Sequence, residues 1–409
     1  MRPFGPFKSI ARQRRKRPAR SERLEARALL TTFNVNSLID TVDTNPGDGV
    51  AVDASGNTSL RAAVQEANAL AGADTIILPA ALNPIQLFIA GRGEDMAATG
   101  DLDITDDVTI VGAGAGDTIV DIERQDRIFD IHPGVTVELS GMTIRDARVS
   151  SSTEDGGAIR NRGTLTIVDS TLTLNDSAGG GGAILNEAGA TLTIIRSLLD
   201  QNVASGFRGG GALLNRGTAT IDRSVLDRNT SSVAGGGIMN VGTGNLTLIG
   251  TEVTSNRTSS GQNGAGLFNV GIADVSHSTF HLNQARNGAA IYVSGGGNAE
   301  LRLTNSTLSG NFAFGRGGGV YVADQSDEVL IRLSTVTDNF AVAAGGGLFT
   351  VGDIGLSGSI VAGNSTSGFL AVSQVSGAIS SNGFNLLGTT VTGQTGDDII
   401  AADPVLDSL

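Results

Sequence analysis

The 409-residue chain contains no cysteine, which excludes disulfides, zinc–thiolate sites, iron–sulfur clusters and a thiol nucleophile. Proline occurs only 8 times, and the 58 glycines follow no three-residue period, so neither a Pro-rich linker nor collagen is encoded. Lysine is confined to Lys8 and Lys16, and no lysine chemistry is available further along. No run of roughly 18 apolar residues occurs, so no transmembrane helix is expected.

What is present is enough apolar mass for a core, at 40% hydrophobic residues, which argues against global disorder. The formal net charge of −13 hides a split. Residues 1–30 carry ten Lys/Arg against two Glu, and the remainder holds 18 Arg against 39 Asp/Glu. An acidic body disfavours nucleic acid as a partner, because phosphate neutralisation needs a basic surface. It suits solubility outside a cell.

The basic run from Arg12 to Arg20 lacks the apolar stretch of roughly 7–15 residues that a secretory signal requires. It reads as a targeting segment or a disordered basic tail. Leu24–Glu25–Ala26–Arg27–Ala28–Leu29–Leu30 resembles the LEPR-x-LL segment that opens many planctomycete surface proteins, with Ala26 in place of proline. The resemblance implies export to the envelope or exterior.

An internal period dominates the rest. Asn175, Asn202, Asn229, Asn256, Asn283, Asn311 and Asn339 recur every 27 or 28 residues, and Asn364 follows after 25. Five residues before each stands a small hydroxyl, from Ser170 to Ser359, with an apolar residue between (Leu172, Leu199, Leu226 and onward). Pairs such as Leu165/Ile167 and Leu192/Ile194 precede the hydroxyl with the period-two spacing of a half-buried strand. A third segment is Gly-rich then apolar, as in Gly182–Ala183–Ile184. A unit of this size cannot close a core alone and must stack on its neighbours. Equivalent strands then pair one coil later, about 4.8 Å apart, and identical residues form columns.

The expected fold is therefore an all-β, right-handed parallel β-helix, a three-sheet solenoid with about 27 residues per coil and an α-helical cap. The Asn column is expected to occupy left-handed turns and to bond its neighbours above and below. Residues 31–99 would form the cap and first strands, 100–155 the first coils, 156–365 the regular coils, and 366–409 the end segment. The helix falls on Thr58–Asn68, where Leu60, Ala63, Val64 and Ala67 share one face and Thr58 or Ser59 can cap the start.

Asp40–Thr41–Val42–Asp43, Gly47–Asp48–Gly49 and Ser59 to Asn68 resemble the CSLREA-type start of bacterial surface β-helix proteins. Relatives carry Cys where Ala51 and Thr58 stand here, which implies a cap held by packing alone. Gly358 to Asn364, Ser381 to Gly388 and Asp403–Pro404–Val405–Leu406 resemble the β-helix end of choice-of-anchor Q proteins, in which the chain runs on to a sorting tail. The Gly-Gly-Ala-Ile and Asn repeats also resemble chlamydial polymorphic outer-membrane proteins.

Candidate chemistry is sparse. Asp101, Asp103, Asp106 and Asp107 could cradle calcium, although turn and outward-facing positions explain them as well, and no cofactor or metal is expected. Asp200 and Asp227 occupy equal positions one coil apart, as paired glycosidase carboxylates would, but Arg196, Arg223 and Arg228 surround them. His277 and His281 share a metal-site spacing that has meaning on a helix rather than around a corner. One column stands out: Leu185, Leu214, Met239, Phe268, Tyr292, Tyr321 and Phe349 follow the apolar anchors, and alternation sends them outward as an apolar, increasingly aromatic stripe. The competing parity would bury them and place Asn186, Asn215, Asn240 and Asn269 outside. Such a stripe can stack on sugars or bury against a partner.

The expected function is an exported, non-catalytic surface or matrix scaffold, extracellular or in the envelope, with an adhesive role toward polysaccharide or an envelope protein. The alternative is a polysaccharide lyase or glycoside hydrolase of the pectate-lyase-like fold.

Overall fold

A computed structural model describes residues 30–80, 84–367, 374–391 and 393–401, together with Gly5. The basic run, all of the LEPR-like segment but its last residue, and Asp403 to Leu406 lie outside the described residues. The chain forms a parallel β-solenoid. Its described strands make three sheets of 22, 13 and 9 members.

One coil shows how the sequence produces this. Ile159–Asn161 and Thr164–Val168 both lie in the first sheet, which bends at the intervening Arg162–Gly163. Along Thr164–Val168 only Leu165 and Ile167 are buried, so the period-two spacing translates directly into one inward face. The chain then turns at Asp169 (φ 48°) into Thr171–Thr173 of the second sheet, where Leu172 points in. A second turn at Leu174 (φ 59°) leads to the two-residue strand Asp176–Ser177 of the third sheet. The apolar spacing gives no sign of this strand, because it is short and buries only a small polar residue.

Equivalent residues pair in register from coil to coil: Leu165 with Leu192, Leu172 with Leu199, Ile184 with Leu213. The inward residues merge into one continuous apolar column from Phe33 to Leu387. Each fully buried Leu or Ile contributes roughly 1.5–3 kcal/mol, so stacking neighbouring coils supplies the stability that one coil lacks.

The Asn column is wholly buried. Each side-chain amide donates to the next amide oxygen, from Asn175 to Asn202 (3.0 Å), on to Asn229 (3.0 Å) and Asn256 (3.0 Å), and finally from Asn339 to Asn364 (2.9 Å). Each oxygen also accepts the backbone N–H of the Asn one coil earlier, as Asn229 does from Asn202 at 3.0 Å. The last rung, Asn364, donates to Gln374 Oε1. The expectation of left-handed asparagines needs correcting. The left-handed residue is the one before each, such as Gln201, Arg228, Ser255 and Leu282, whose side chain points outward. Asn is selected for the ladder rather than for its backbone. A second buried ladder, unanticipated, links Asn161, Asn186, Asn215, Asn240 and Asn269 through amide bonds of 2.7–2.8 Å.

The cap helix spans Leu60–Ala69 and buries Leu60, Ala63, Val64 and Ala67. Ser59 is its N-cap, accepting from Ala62 N–H at 3.0 Å. The cap is held by more than packing. Arg61 and Asp40, both fully buried, pair through Nε–Oδ1 at 2.7 Å and Nη2–Oδ2 at 3.1 Å. Arg61 also donates to the carbonyls of Ala97 and Gly100, and Glu66 accepts from Gly47 and Gly49 N–H.

Candidate functional site

The inner strands of the first sheet place one outward residue per coil in a single register. Starting from the cap these are Asp103, Asp130, Arg160, Leu185, Leu214, Met239, Phe268, Tyr292, Tyr321 and Phe349. The expected stripe and a group of acids and arginines are thus two ends of one column.

At the aromatic end the anchors Ile184, Leu213, Ile238 and Leu267 point into the core, and Asn186, Asn215, Asn240 and Asn269 lie inside with them. Alternation therefore sends the stripe outward, as the expected parity requires. Met239, Phe268, Tyr292, Tyr321 and Phe349 are half-buried. Leu185 and Leu214 are not exposed, at 1% each. Leu185 floors a charged cavity and Leu214 lies beneath the turn at Gly180. From Phe268 to Phe349 the rings stack at 4.8–4.9 Å between centroids and 7–15° between planes. Arg316 sits 4.9 Å over the Phe349 ring. The ring faces are thus spent on one another and on Arg316, and the column presents ring edges outward. Burial pushes the Tyr292 hydroxyl up to about 12.

At the other end the register brings Asp103 directly beside Asp130, and Asp101, Arg127 and His132 flank them. Among the described residues, the carboxylates of Asp101, Asp103 and Asp130 approach within 4.8 Å of one another, as do the donors of Asp95, Asp103 and His132. His132 Nε2 is 3.2 Å from Asp103, Arg127 Nε 3.0 Å from Asp101, and Arg162 Nη2 3.0 Å from Asp130. Burial pushes Asp101 up to about 8, partly offset by the Arg127 charge. Burial and the neighbouring Asp130 push Asp103 up to about 7. Burial lowers His132. A cavity of about 120 Å³ opens over this cluster beneath the 92–95 segment. A second, of about 250 Å³, adjoins it and is lined by Arg127, Arg160, Arg208, Arg216, Glu154, Asp155 and Glu187, with Thr153 and Leu185.

The four aspartates of the calcium expectation are not one constellation. Asp101 and Asp103 face the cavity, whereas Asp106 and Asp107 bind backbone N–H groups of Gly72 and Thr136 at a turn. Asp101, Asp103 and Asp130 could converge on a cation, but the Arg127 and Arg162 guanidinium groups already stand against them. Asp200 and Asp227 pair in register, and Arg228 bridges both at 3.0 and 2.9 Å. His281 contacts Glu252 at 3.3 Å and His277 contacts Asn305 at 3.5 Å, so the two histidines share no ligand set. Sequence reasoning missed the Asp103/Asp130 pair although its 27-residue spacing was readable.

Residues 178–336 match the family model described as "Right handed beta helix region", in keeping with the expected hand. None of the curated proteins compared matches the sequence. Among solved structures, the A-module of the mannuronan C-5 epimerase AlgE6 from Azotobacter vinelandii aligns over 88% of this chain and 100% of its own. The identity is 15% and the TM-score 0.39; at that level the match carries no inference about activity. Among the described residues no helix is long and apolar enough to cross a membrane.

Proposed function

We propose that the protein is an exported, non-catalytic scaffold of the cell surface or matrix that holds a partner along the outward face of its first sheet. The observation that carries this reading is the continuous half-buried aromatic run Phe268–Tyr292–Tyr321–Phe349 on an acidic solenoid. An outward apolar column of this kind is stabilised further when a partner covers it. Because the rings face one another, the ladder favours a partner that buries ring edges, an envelope protein, over a sugar laid on ring faces. The commitment of Asp130 to Arg162 and of Asp155 to Arg208 and Arg216 supports a binding rather than a catalytic role. Export rests on the resemblances at residues 24–30 and 40–68.

The test is retention of the purified chain on immobilised envelope proteins and on a polysaccharide panel, compared with Tyr292→Ala plus Tyr321→Ala. Retention lost in the double variant supports the reading; retention unchanged in it, or absent from every surface, refutes it.

A second reading, a polysaccharide-cleaving enzyme, is favoured by the raised Asp101 and Asp103 beside His132, since a carboxyl group protonated near neutral pH is what a general acid needs. Shortened chains or unsaturated products from the same panel, with and without calcium, would select it.

A further inference from the structure

The two cavities over the first coils share Arg127, Glu154 and Arg160. The Arg127 side chain is only 7% exposed, yet its Nε and Nη1 have no hydrogen-bond partner. Asp101 lies 3.0 Å from Nε without hydrogen-bond alignment, Asp130 and Glu154 are 3.9 Å from the guanidinium, and Asp126 takes the Arg127 backbone N–H at 2.9 Å. The Nε of Arg160 is likewise buried and unpartnered. Leaving buried donors of a charged group unmatched is costly, and two such groups lining the same space mark it as shaped for an acceptor.

The surrounding carboxylates do not fill that role. Asp155 is held by Arg208 at 2.9 Å, Arg216 at 3.0 Å and Gly180 N–H at 2.8 Å. Glu187 is held by Arg160 and Arg216 at 3.4 and 3.2 Å. Asp101, pushed up by burial to about 8, is a weaker countercharge for Arg127 than an ordinary carboxylate. The larger cavity thus gathers four guanidinium groups against three carboxylates, within a chain of net charge −13.

We propose that Arg127 and Arg160 bind a carboxylate group of a small ligand where the two cavities meet. A planar two-oxygen anion matches the guanidinium fork. Glu154, which lines both cavities, repels a doubly charged phosphate more strongly than a singly charged carboxylate. The space, about 250 Å³ on one side and 120 Å³ on the other, admits a sugar acid or a small free acid, and Leu185 offers an apolar floor. This site stands on the arginines and is independent of the aromatic run.

Calorimetric titration of the full chain at low salt, with glucuronate, its methyl ester, glucose, succinate and inorganic phosphate, tests the proposal. One of the two acids should bind about tenfold or more tightly than the ester, glucose and phosphate, and which acid does so identifies the source of the carboxylate. Arg127→Gln and Arg160→Gln should each weaken that binding about tenfold or more. Arg160 is 35% exposed, so its variant keeps the fold, as an unchanged melting temperature would show, even if Arg127→Gln does not. The Tyr292→Ala plus Tyr321→Ala variant should bind the acid normally, which separates this site from the proposed partner face. Equal binding of acid and ester, tighter binding of phosphate, no binding of either acid, or acid binding unchanged in Arg160→Gln would each overturn the proposal.

Discussion

Removing one rung from the middle of the amide ladder should destabilise the solenoid far more than its size suggests. Asn229 is fully buried. Its oxygen accepts both the backbone N–H and the Nδ2 of Asn202, and its own Nδ2 donates to the Leu199 carbonyl at 2.9 Å and to Asn256 Oδ1 at 3.0 Å. Asn229→Ala deletes all four side-chain bonds and keeps the backbone ones, the N–H donation to Asn256 and the carbonyl's acceptance from Arg257 N–H. The Asn202 N–H, one proton of the Asn202 amide and the Leu199 carbonyl lose those partners. At roughly 1–3 kcal/mol for each orphaned group, and with room for a water to satisfy some of the loss, the cost is about 4 kcal/mol. Urea unfolding followed by circular dichroism measures it, with Thr218→Ala, exposed on the outward face of the same coil, as the control. Because the solenoid is quasi-one-dimensional, hydrogen exchange should rise first at Asn202 and its neighbours. A midpoint shift no larger than that of Thr218→Ala, or protection lost uniformly along the chain, would refute the reasoning.

Other outcomes follow from the same structure. Leu282 is exposed and left-handed at φ 55°, so Leu282→Gly should raise stability by about 0.5–1 kcal/mol, the relief of left-handed strain less the added freedom of the unfolded chain; a lower melting temperature would contradict this. Arg61→Met leaves the Asp40 carboxylate buried without its countercharge and should cost about 3–5 kcal/mol, read as lost amide protection over Leu60–Ala69; unchanged protection there would show that packing suffices. Asp101 and Asp103 have folded-state values raised to about 8 and 7 from 3.8, so the folded state binds their protons more tightly. Their stabilising contribution is full below about pH 4 and is lost as pH rises to about 8. The pH dependence of the melting temperature should therefore flatten in Asp101→Asn, and an identical profile would remove Asp101 from the account.

How much of this was legible depended on whether a residue repeats. The Ser170 and Asn175 columns, the inward pair Leu165/Ile167 and the outward parity of Tyr292 and Tyr321 all appear many times at one spacing, so stacking followed from counting. The second ladder, from Asn161 to Asn269, was visible only as a competing parity, because its polar residues follow an apolar anchor on the same inward side. A buried amide there is tolerated only because each rung satisfies the last, a cooperative property that no single residue displays. The charged cavities were the least legible. Asp103 and Asp130 lie 27 residues apart, but Asp101, Arg127 and Arg208 come from positions where the residue type does not repeat, Arg216 repeats only Arg162 two coils earlier, and burial, which raises Asp101 and Asp103, is set by the folded chain.

The left-handed corners bear on how such a chain can change in length. Arg228, Ser255 and Leu282 adopt nearly the same backbone with unrelated side chains, and the contacts between adjacent coils repeat from rung to rung. Excising the segment between two equivalent corners would bring together surfaces that already fit, since each rung offers its neighbour the same donors and acceptors. The number of turns is therefore an adjustable quantity, open to duplication or deletion in whole units, while both ends and their specialised surfaces stay intact.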